Sequence, residues 1–272
     1  MSEASITETL NRIREALDAA VIAISPFVPG AVKAEQKSAG RGPVTEADRA
    51  SNRVLRKILL REGEGWLSEE TVDDLARLEK QRVWVVDPLD GTLEFVAGIP
   101  EWCVSVAMVE NGRAVAGGIC NPATKEIILG SRETGVTYNG QPARPSSRTS
   151  LQGAVVLASR SELKRGEWEQ FRGREFEIRP TGSVAYKFAL VAAGRADATW
   201  TLTPKNEWDV AAGIALVEAA GGFAQVLGKS SIVLNNPSPL LPGLIASGPS
   251  LREEILSLLD GAGRAAPQPR HE

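Results

Sequence analysis

The 272-residue chain is predicted to be a layered α/β protein, an antiparallel-sheet half followed by an alternating α/β half. Three observations carry this. Apolar residues recur at helical spacing near the N-terminus. A continuous apolar run at Val83-Trp84-Val85-Val86 is followed by short extended segments joined by Asn-Gly turns. Beyond about residue 150 strands and helices alternate.

Ile6, Leu10, Ile13, Leu17, Val21 and Ile24 form one face of a long helix, ended by Ser25-Pro26 and Pro29-Gly30. Residues 34–43 are polar and Gly-rich and read as a loop, either a plain connector or a lid over a site. Thr45-Glu46-Ala47-Asp48 opens a second helix with Val54, Leu55, Ile58 and Leu59 on its apolar side. Val83–Val86 reads as a strand buried on both faces. Segments 104–109, 114–119 and 126–129 continue a meander, with Asn111-Gly112 and Asn139-Gly140 as hairpin turns. In the second half, 154–158, 196–202 and 244–246 read as strands, and 184–193, 210–220 and 251–259 as helices. The predicted organisation is an N-terminal half (1–145), a C-terminal half (146–260) that closes the site and binds substrate, and a disordered tail (261–272).

Composition narrows the chemistry. A net charge of −3 with no basic run argues against a nucleic-acid polymer as partner. No run of about 18 apolar residues suggests a membrane span, and the N-terminus lacks a signal-peptide core, so a cytoplasmic location is expected. Cys103 and Cys120 are too few for a disulfide framework and read as buried small hydrophobes. The single histidine, His271, is the penultimate residue. Ser-His-Asp triads, papain-like pairs and HExxH zinc sites are therefore excluded, which leaves carboxylates, hydroxyls, lysines and metals.

The hexapeptide Asp87-Pro88-Leu89-Asp90-Gly91-Thr92 follows the apolar strand directly, where α/β proteins place their sites. Pro88 and Gly91 predict a tight turn that aims two carboxylates and the Leu89 carbonyl at one point, with the Gly91 and Thr92 N–H groups as an anion cradle. At an effective dielectric of ~20, two carboxylates ~4 Å apart repel by roughly 4 kcal/mol, which a divalent cation relieves. Oxygen-only ligands suit Mg²⁺. Alone, the hexapeptide could instead be a turn that caps a helix. Three further acidic segments, Thr45 to Asp48, Ser68-Glu69-Glu70 and Trp208-Asp209, accompany it.

In this order, Val44-Thr45-Glu46-Ala47-Asp48, Leu67-Ser68-Glu69-Glu70, Asp87 to Thr92 and Trp208-Asp209 resemble the inositol monophosphatase superfamily of lithium-sensitive, Mg²⁺-dependent phosphatases. The resemblance covers roughly residues 5 to 260. It implies the family's αβαβα fold, a small phosphate-ester substrate, two or three Mg²⁺ per site and a homodimer. Glu69, Asp87 and the Leu89 carbonyl would bind a first metal, and Asp87, Asp90 and Asp209 a second. Thr92, supported by Asp48 and Glu69, would orient and help deprotonate the attacking water. Glu70 would be structural.

The substrate pocket resembles the 3'(2'),5'-bisphosphate nucleotidase branch more than the inositol-specific one. Inositol-specific members usually carry an acid where this chain has Leu202, and commonly Asn before Phe where it has Glu94. Pro204 to Asp209 is similar to the nucleotidase Pro-x-Asn-x-Trp-Asp. Gly91, Thr92, Gly182, Ser183 and Asp209 would line the substrate, Ser159 would contact the nucleotide and Lys187 its second phosphate. Glu162 departs from the His common there. The predicted activity is hydrolysis of adenosine 3',5'-bisphosphate to AMP and phosphate, a step in sulfur assimilation. The alternatives are inositol-1-phosphate hydrolysis and a catalytically silent binding relative.

Near misses fail on spacing. The carboxylates of the hexapeptide are three apart, not two as in aspartyl-phosphate phosphatases. Residues 222–230 have one residue too many between the glycines for a P-loop, and neither cysteine has an Arg six residues on.

Overall fold

The computed structural model describes residues 3–36, 43–229 and 231–265. Helix α1 (Glu3–Ile24) is amphipathic as its spacing predicts, with Ile6, Ile13, Leu17 and Ile24 buried. Two short strands, β1 (Glu35–Gln36) and β2 (Pro43–Val44), pair antiparallel. The predicted 34–43 loop therefore has paired ends, and residues 37–42 lie outside the described residues. Helix α2 (Glu46–Leu59) begins in a capping box: Thr45 is the N-cap and Asp48 returns its carboxylate to the Thr45 N–H.

The large sheet runs in sequence order: β3 (Gly65–Ser68), β4 (Arg82–Asp90), β5 (Cys103–Glu110), β6 (Arg113–Asn121), β7 (Glu126–Ser131), β8 (Gly135–Tyr138) and β9 (Gln141–Ala143). All neighbours are antiparallel except β3 and β4, so the predicted meander carries one parallel edge strand. Asn111-Gly112 and Asn139-Gly140 each have two consecutive positive φ angles, the geometry of a two-residue hairpin turn. Between β4 and β5 helix α3 (Thr92–Ala97) intervenes.

The second sheet has the order β11-β10-β12-β16-β14, formed by β10 (Val155–Ser159), β11 (Glu177–Thr181), β12 (Ala198–Thr201), β14 (Phe223–Val226) and β16 (Leu244–Ser247). Its helices are α4 (Arg160–Lys164), α5 (Val184–Ala192), α6 (Glu207–Ala219) and α7 (Arg252–Ala265). Strand β13 (Lys205–Asn206) pairs with β15 (Leu240–Leu241) just ahead of α6. Helix α7 continues through Gly261 to Ala265, into the stretch predicted as tail; residues 266–272 lie outside the described residues.

Side-chain alternation along β4 sets the layering. Trp84 and Val86 face α1 and α2 with Val104, Val106 and Met108. Val83 and Val85 face α5 and α6, whose opposite side meets Leu157, Leu244 and Ala246 of the second sheet. That sheet's outer face, with Val156, Trp200 and Ile245, packs on Ile255 of α7 and on Trp168 and Phe171 of the segment after α4. Trp168 stacks on Trp200 with ring centroids 5.0 Å apart. The result is an αβαβα arrangement, and the ends of β4, α5 and α6 converge on one edge of it.

Candidate active site

The predicted turn at Asp87–Asp90 is instead a bulge at the end of a strand. Strand β4 runs on to Asp90, and its pairing with β5 shifts between Asp87, opposite Ser105, and Asp90, opposite Cys103. One extra residue on β4 bends the strand and re-aims both carboxylates. Ser51 of α2 holds the bulge through a 2.8 Å hydrogen bond to the Pro88 carbonyl. The Leu89 N–H donates to Asp87 Oδ1 at 3.0 Å. Gly91 follows at φ 97°, where an added Cβ would stand 2.9 Å from the Glu101 carbonyl, so the chain turns into α3 only with glycine there.

Asp209 comes from the first turn of α6, where it completes a capping box with Asn206 and accepts from the Asn206 N–H at 2.9 Å. Asp87, Asp90 and Asp209 each bring a carboxylate oxygen within 4.8 Å of the other two. Burial pushes the Asp87 carboxyl well above its ordinary value, and the charges of Glu69, Asp90 and Asp209 push it further. Asp209 is raised in the same way, by burial and then by Asp90 and Glu69. Asp90 is raised by burial and partly relieved by 2.6 Å hydrogen bonds from the Ser183 hydroxyl and the Ala185 N–H. A set of mutually repelling hard-oxygen donors, buried at Asp87 and Asp90 and half-buried at Asp209, fits Mg²⁺.

Beside the cluster, Thr92 Oγ1 lies 3.0 Å from Asp48 Oδ1 and 3.1 Å from the Leu89 carbonyl. The other oxygen of Asp48 accepts from the Thr45 N–H and hydroxyl, so one carboxylate both caps α2 and braces Thr92.

A cleft of about 340 Å³ gathers Glu69, Asp87, Leu89, Asp90, Gly91, Thr92, Ser159, Gly182, Ser183, Lys187 and Asp209. Asp48 reaches it through Thr92. A larger hollow of about 530 Å³ opens among Arg113, Arg132 and Arg252. It gathers no such carboxylate cluster among the described residues, so donor chemistry, not size, singles out the smaller cleft.

Several predicted substrate contacts have partners inside the protein. The Gly182 N–H donates to Glu101 at 2.7 Å, and Arg160 clamps the same carboxylate at 2.6 and 2.7 Å. Ser183 caps α5 at φ 56°, accepting from the Tyr186 N–H. Lys187 is 2% exposed, and its Nζ donates to the Ser183 carbonyl at 2.9 Å and reaches the Thr181 carbonyl at 3.4 Å. Burial lowers its pKa, and Asp90 and Glu162 oppose that. Ser159 Oγ is 2.9 Å from Ser161 Oγ. Glu94 lines the cleft, its carboxyl raised by burial and by Asp90. Lys205 also lines it and was not among the predicted site residues. A lysine four residues before a helix-capping Asp carries no signal of its own.

A sequence profile described as the inositol monophosphatase family matches residues 8–262. The chain belongs to this family. Members are metal-dependent phosphatases, and this chain is a phosphoric monoester hydrolase of that kind. It is 36% identical over 196 residues to an inositol-1-monophosphatase of Rhizobium meliloti, covering 68% of this chain and 73% of that one. Its fold is similar to the Thermotoga maritima IMPase at a TM-score of 0.78 and 28% identity, covering 96% of this chain and 98% of that one. It is also similar to CysQ from Bacteroides thetaiotaomicron, a bacterial family member, at a TM-score of 0.73 and 28% identity, covering 89% and 97%. The structural neighbours thus include CysQ, while several of the sequence relatives carry the inositol-1-monophosphatase name. Among the described residues no helix is long and apolar enough to cross a membrane.

Proposed function

We propose that this family member is a Mg²⁺-dependent 3'(2'),5'-bisphosphate nucleotidase that converts adenosine 3',5'-bisphosphate to AMP and phosphate. The observation that carries it is the cleft itself, which sets the Asp87–Asp90–Asp209 cluster beside a partly exposed ammonium group, that of Lys205. Carboxylates hold cations, and cations beyond them suit a substrate with more than one phosphate.

Glu69, Asp87 and the Leu89 carbonyl would hold one Mg²⁺, and Asp87, Asp90 and Asp209 a second. When bound, the ions offset the carboxylate charge and stabilise charge developing on the phosphoryl group. The chain's own residues supply the proton path. Thr92 Oγ1 directs its proton at Asp48 Oδ1, which leaves a lone pair to accept from a water in the cleft. As that water attacks phosphorus, its proton passes to Thr92 and the Thr92 proton to Asp48, while the bond from phosphorus to the ester oxygen breaks and that oxygen, leaving with the bonding pair, takes up a proton from solvent. Ser183 and Ala185 fix Asp90 throughout.

The sequence supports a substrate other than inositol phosphate, because Leu202, where inositol-specific members usually carry an acid, offers no acceptor for sugar hydroxyls; it is 38% exposed and lies outside the lining of the cleft. The second reading, inositol-1-phosphate hydrolysis, is favoured by the relatives' names. Phosphate release from adenosine 3',5'-bisphosphate and inositol-1-phosphate, measured side by side with Mg²⁺, decides between them. A preference for inositol-1-phosphate would overturn the nucleotidase reading.

A further inference from the structure

Lys205, at the cleft, forms an ion pair with the buried Glu162. Glu162 lies in α4 and is 1% exposed, yet it is a charged group. Its Oε1 accepts from the Thr201 hydroxyl and from the Thr203 hydroxyl at 2.8 Å, and it forms an ion pair with Lys205 Nζ at 3.2 Å. Its Oε2 accepts from Trp168 Nε1 at 3.1 Å. Burial alone would raise this carboxyl, but the Thr201 hydrogen bond and the Lys205 charge outweigh it and hold it below its usual range. Glu162 is therefore a fixed anion whose counter-charge is Lys205.

Lys205 is fixed at both ends. Its backbone belongs to β13, paired with Leu241, and Asn206 next to it is the N-cap of α6. Its Nζ also donates to Thr203 Oγ1 at 3.0 Å. An ammonium carries three protons, and Thr203 takes one while Glu162 faces it as an ion pair. The side chain keeps 15% exposure and lines the cleft, and its charge is felt by both Asp90 and Asp209. Lys187, by contrast, is almost wholly buried and donates to main-chain carbonyls, which suits it to holding the turn at 181–183.

We propose that Lys205, positioned by Glu162, is the group that recognises a second, non-reacting phosphate on the substrate. The inference rests on the nucleotidase reading for the identity of that substrate. An ammonium already held in place loses little freedom on binding an anion, so its charge-assisted hydrogen bond is expressed as affinity.

The test compares adenosine 3',5'-bisphosphate with adenosine 3'-monophosphate, which keeps the reacting phosphate and lacks the other. Wild type, Lys205→Met and Lys205→Arg are assayed as full-length protein with Mg²⁺, with melting curves to confirm folding. Lys205→Met should raise KM for the bisphosphate about tenfold or more relative to the monophosphate. The inhibition constant of AMP, which retains the 5'-phosphate, should rise by a similar factor. Lys205→Arg should restore most of both. Equal effects on the two substrates, or an unchanged AMP constant, would overturn the proposal. Should wild type prefer inositol phosphates, the nucleotidase reading fails by itself. The same comparison between inositol 1,4-bisphosphate and inositol 1-phosphate then decides for Lys205 separately.

Discussion

The Thr92 hydroxyl lies 3.0 Å from Asp48 Oδ1, joining the first turn of α3 to the first turn of α2 across 44 residues of sequence. Asp48 is 1% exposed, and its other oxygen caps α2 through Thr45. The two duties can be separated. Thr92→Val keeps the shape and the cap and removes the hydroxyl, so kcat should fall by about 10²-fold or more while KM and melting temperature move little. Thr45→Ala removes part of the cap and should cost about 1 kcal/mol of stability with a smaller effect on kcat. Steady-state kinetics and urea unfolding on both variants check this. A Thr92→Val enzyme with near-normal kcat would remove Thr92 from the proton path.

The carboxylate cluster predicts an opposed response of stability and metal binding. Asp209 is raised by burial and by Asp90 and Glu69, so its charged form opposes folding when no cation is bound. Asp209→Asn keeps an acceptor for the Asn206 N–H and removes one repelling charge. The metal-free variant should therefore melt above metal-free wild type. Mg²⁺ at a hundred times its dissociation constant should stabilise wild type by about 2.7 kcal/mol, or about 5–10 °C. The variant should lose most of that shift, together with its activity. Differential scanning fluorimetry across a Mg²⁺ series reads both effects, and an unchanged Mg²⁺ shift in Asp209→Asn would count against Asp209 as a ligand.

Glu207 shows where sequence stops being informative. Two residues before Asp209, it reads from sequence as part of a substrate-like Pro-Lys-Asn-Glu-Trp-Asp run. In the fold it is fully buried and accepts from the Asn235 N–H at 2.7 Å and from the Asn236 N–H and side-chain amide at 2.9 and 2.6 Å. Arg77 joins the same loop through Asn235 and Asn236. Glu207→Gln turns an amide donor toward these donors and should cost about 2 kcal/mol in urea unfolding. A loss below about 0.5 kcal/mol would show the loop held by other contacts.

The same limit explains which parts of the fold were legible. Trp84 and Val86 alternate with Val83 and Val85, and the Asn-Gly pairs carry their turn chemistry, so β4 and both hairpins were visible locally. Strand β11 was not: Glu-Ile-Arg-Pro-Thr is polar and contains Pro180, tolerated because it is an edge strand. The carboxylates at 87 and 90 were visible because hard-oxygen chemistry constrains their residue types, and Asp209 joined them only through the resemblance to the family. The bulge that aims them, and the pairing of Lys205 with Glu162 43 residues away, exist only once β4, α4 and β13 are folded together.

Glu64 predicts the acid limit of the first half. It follows α2 and accepts from Arg12 of α1 at 2.7 and 3.0 Å, from Trp84 Nε1 of β4 at 2.9 Å and from the Arg61 N–H at 3.1 Å. Burial acts to raise this carboxyl, but the Arg12 and Trp84 hydrogen bonds and the Arg12 charge prevail, and it lies below its ordinary value. A carboxyl that is lower in the folded than in the unfolded chain stabilises the fold fully above the unfolded value, about 4.3. That contribution is lost as pH falls through the folded value. Glu64→Gln should therefore cost about 2 kcal/mol at pH 7, an amount tempered by partial exposure to solvent. The gap between wild type and variant should narrow in unfolding curves taken below about pH 4. A gap that stayed constant from pH 7 to pH 3 would mean that Glu64 acts through packing and not through its charge.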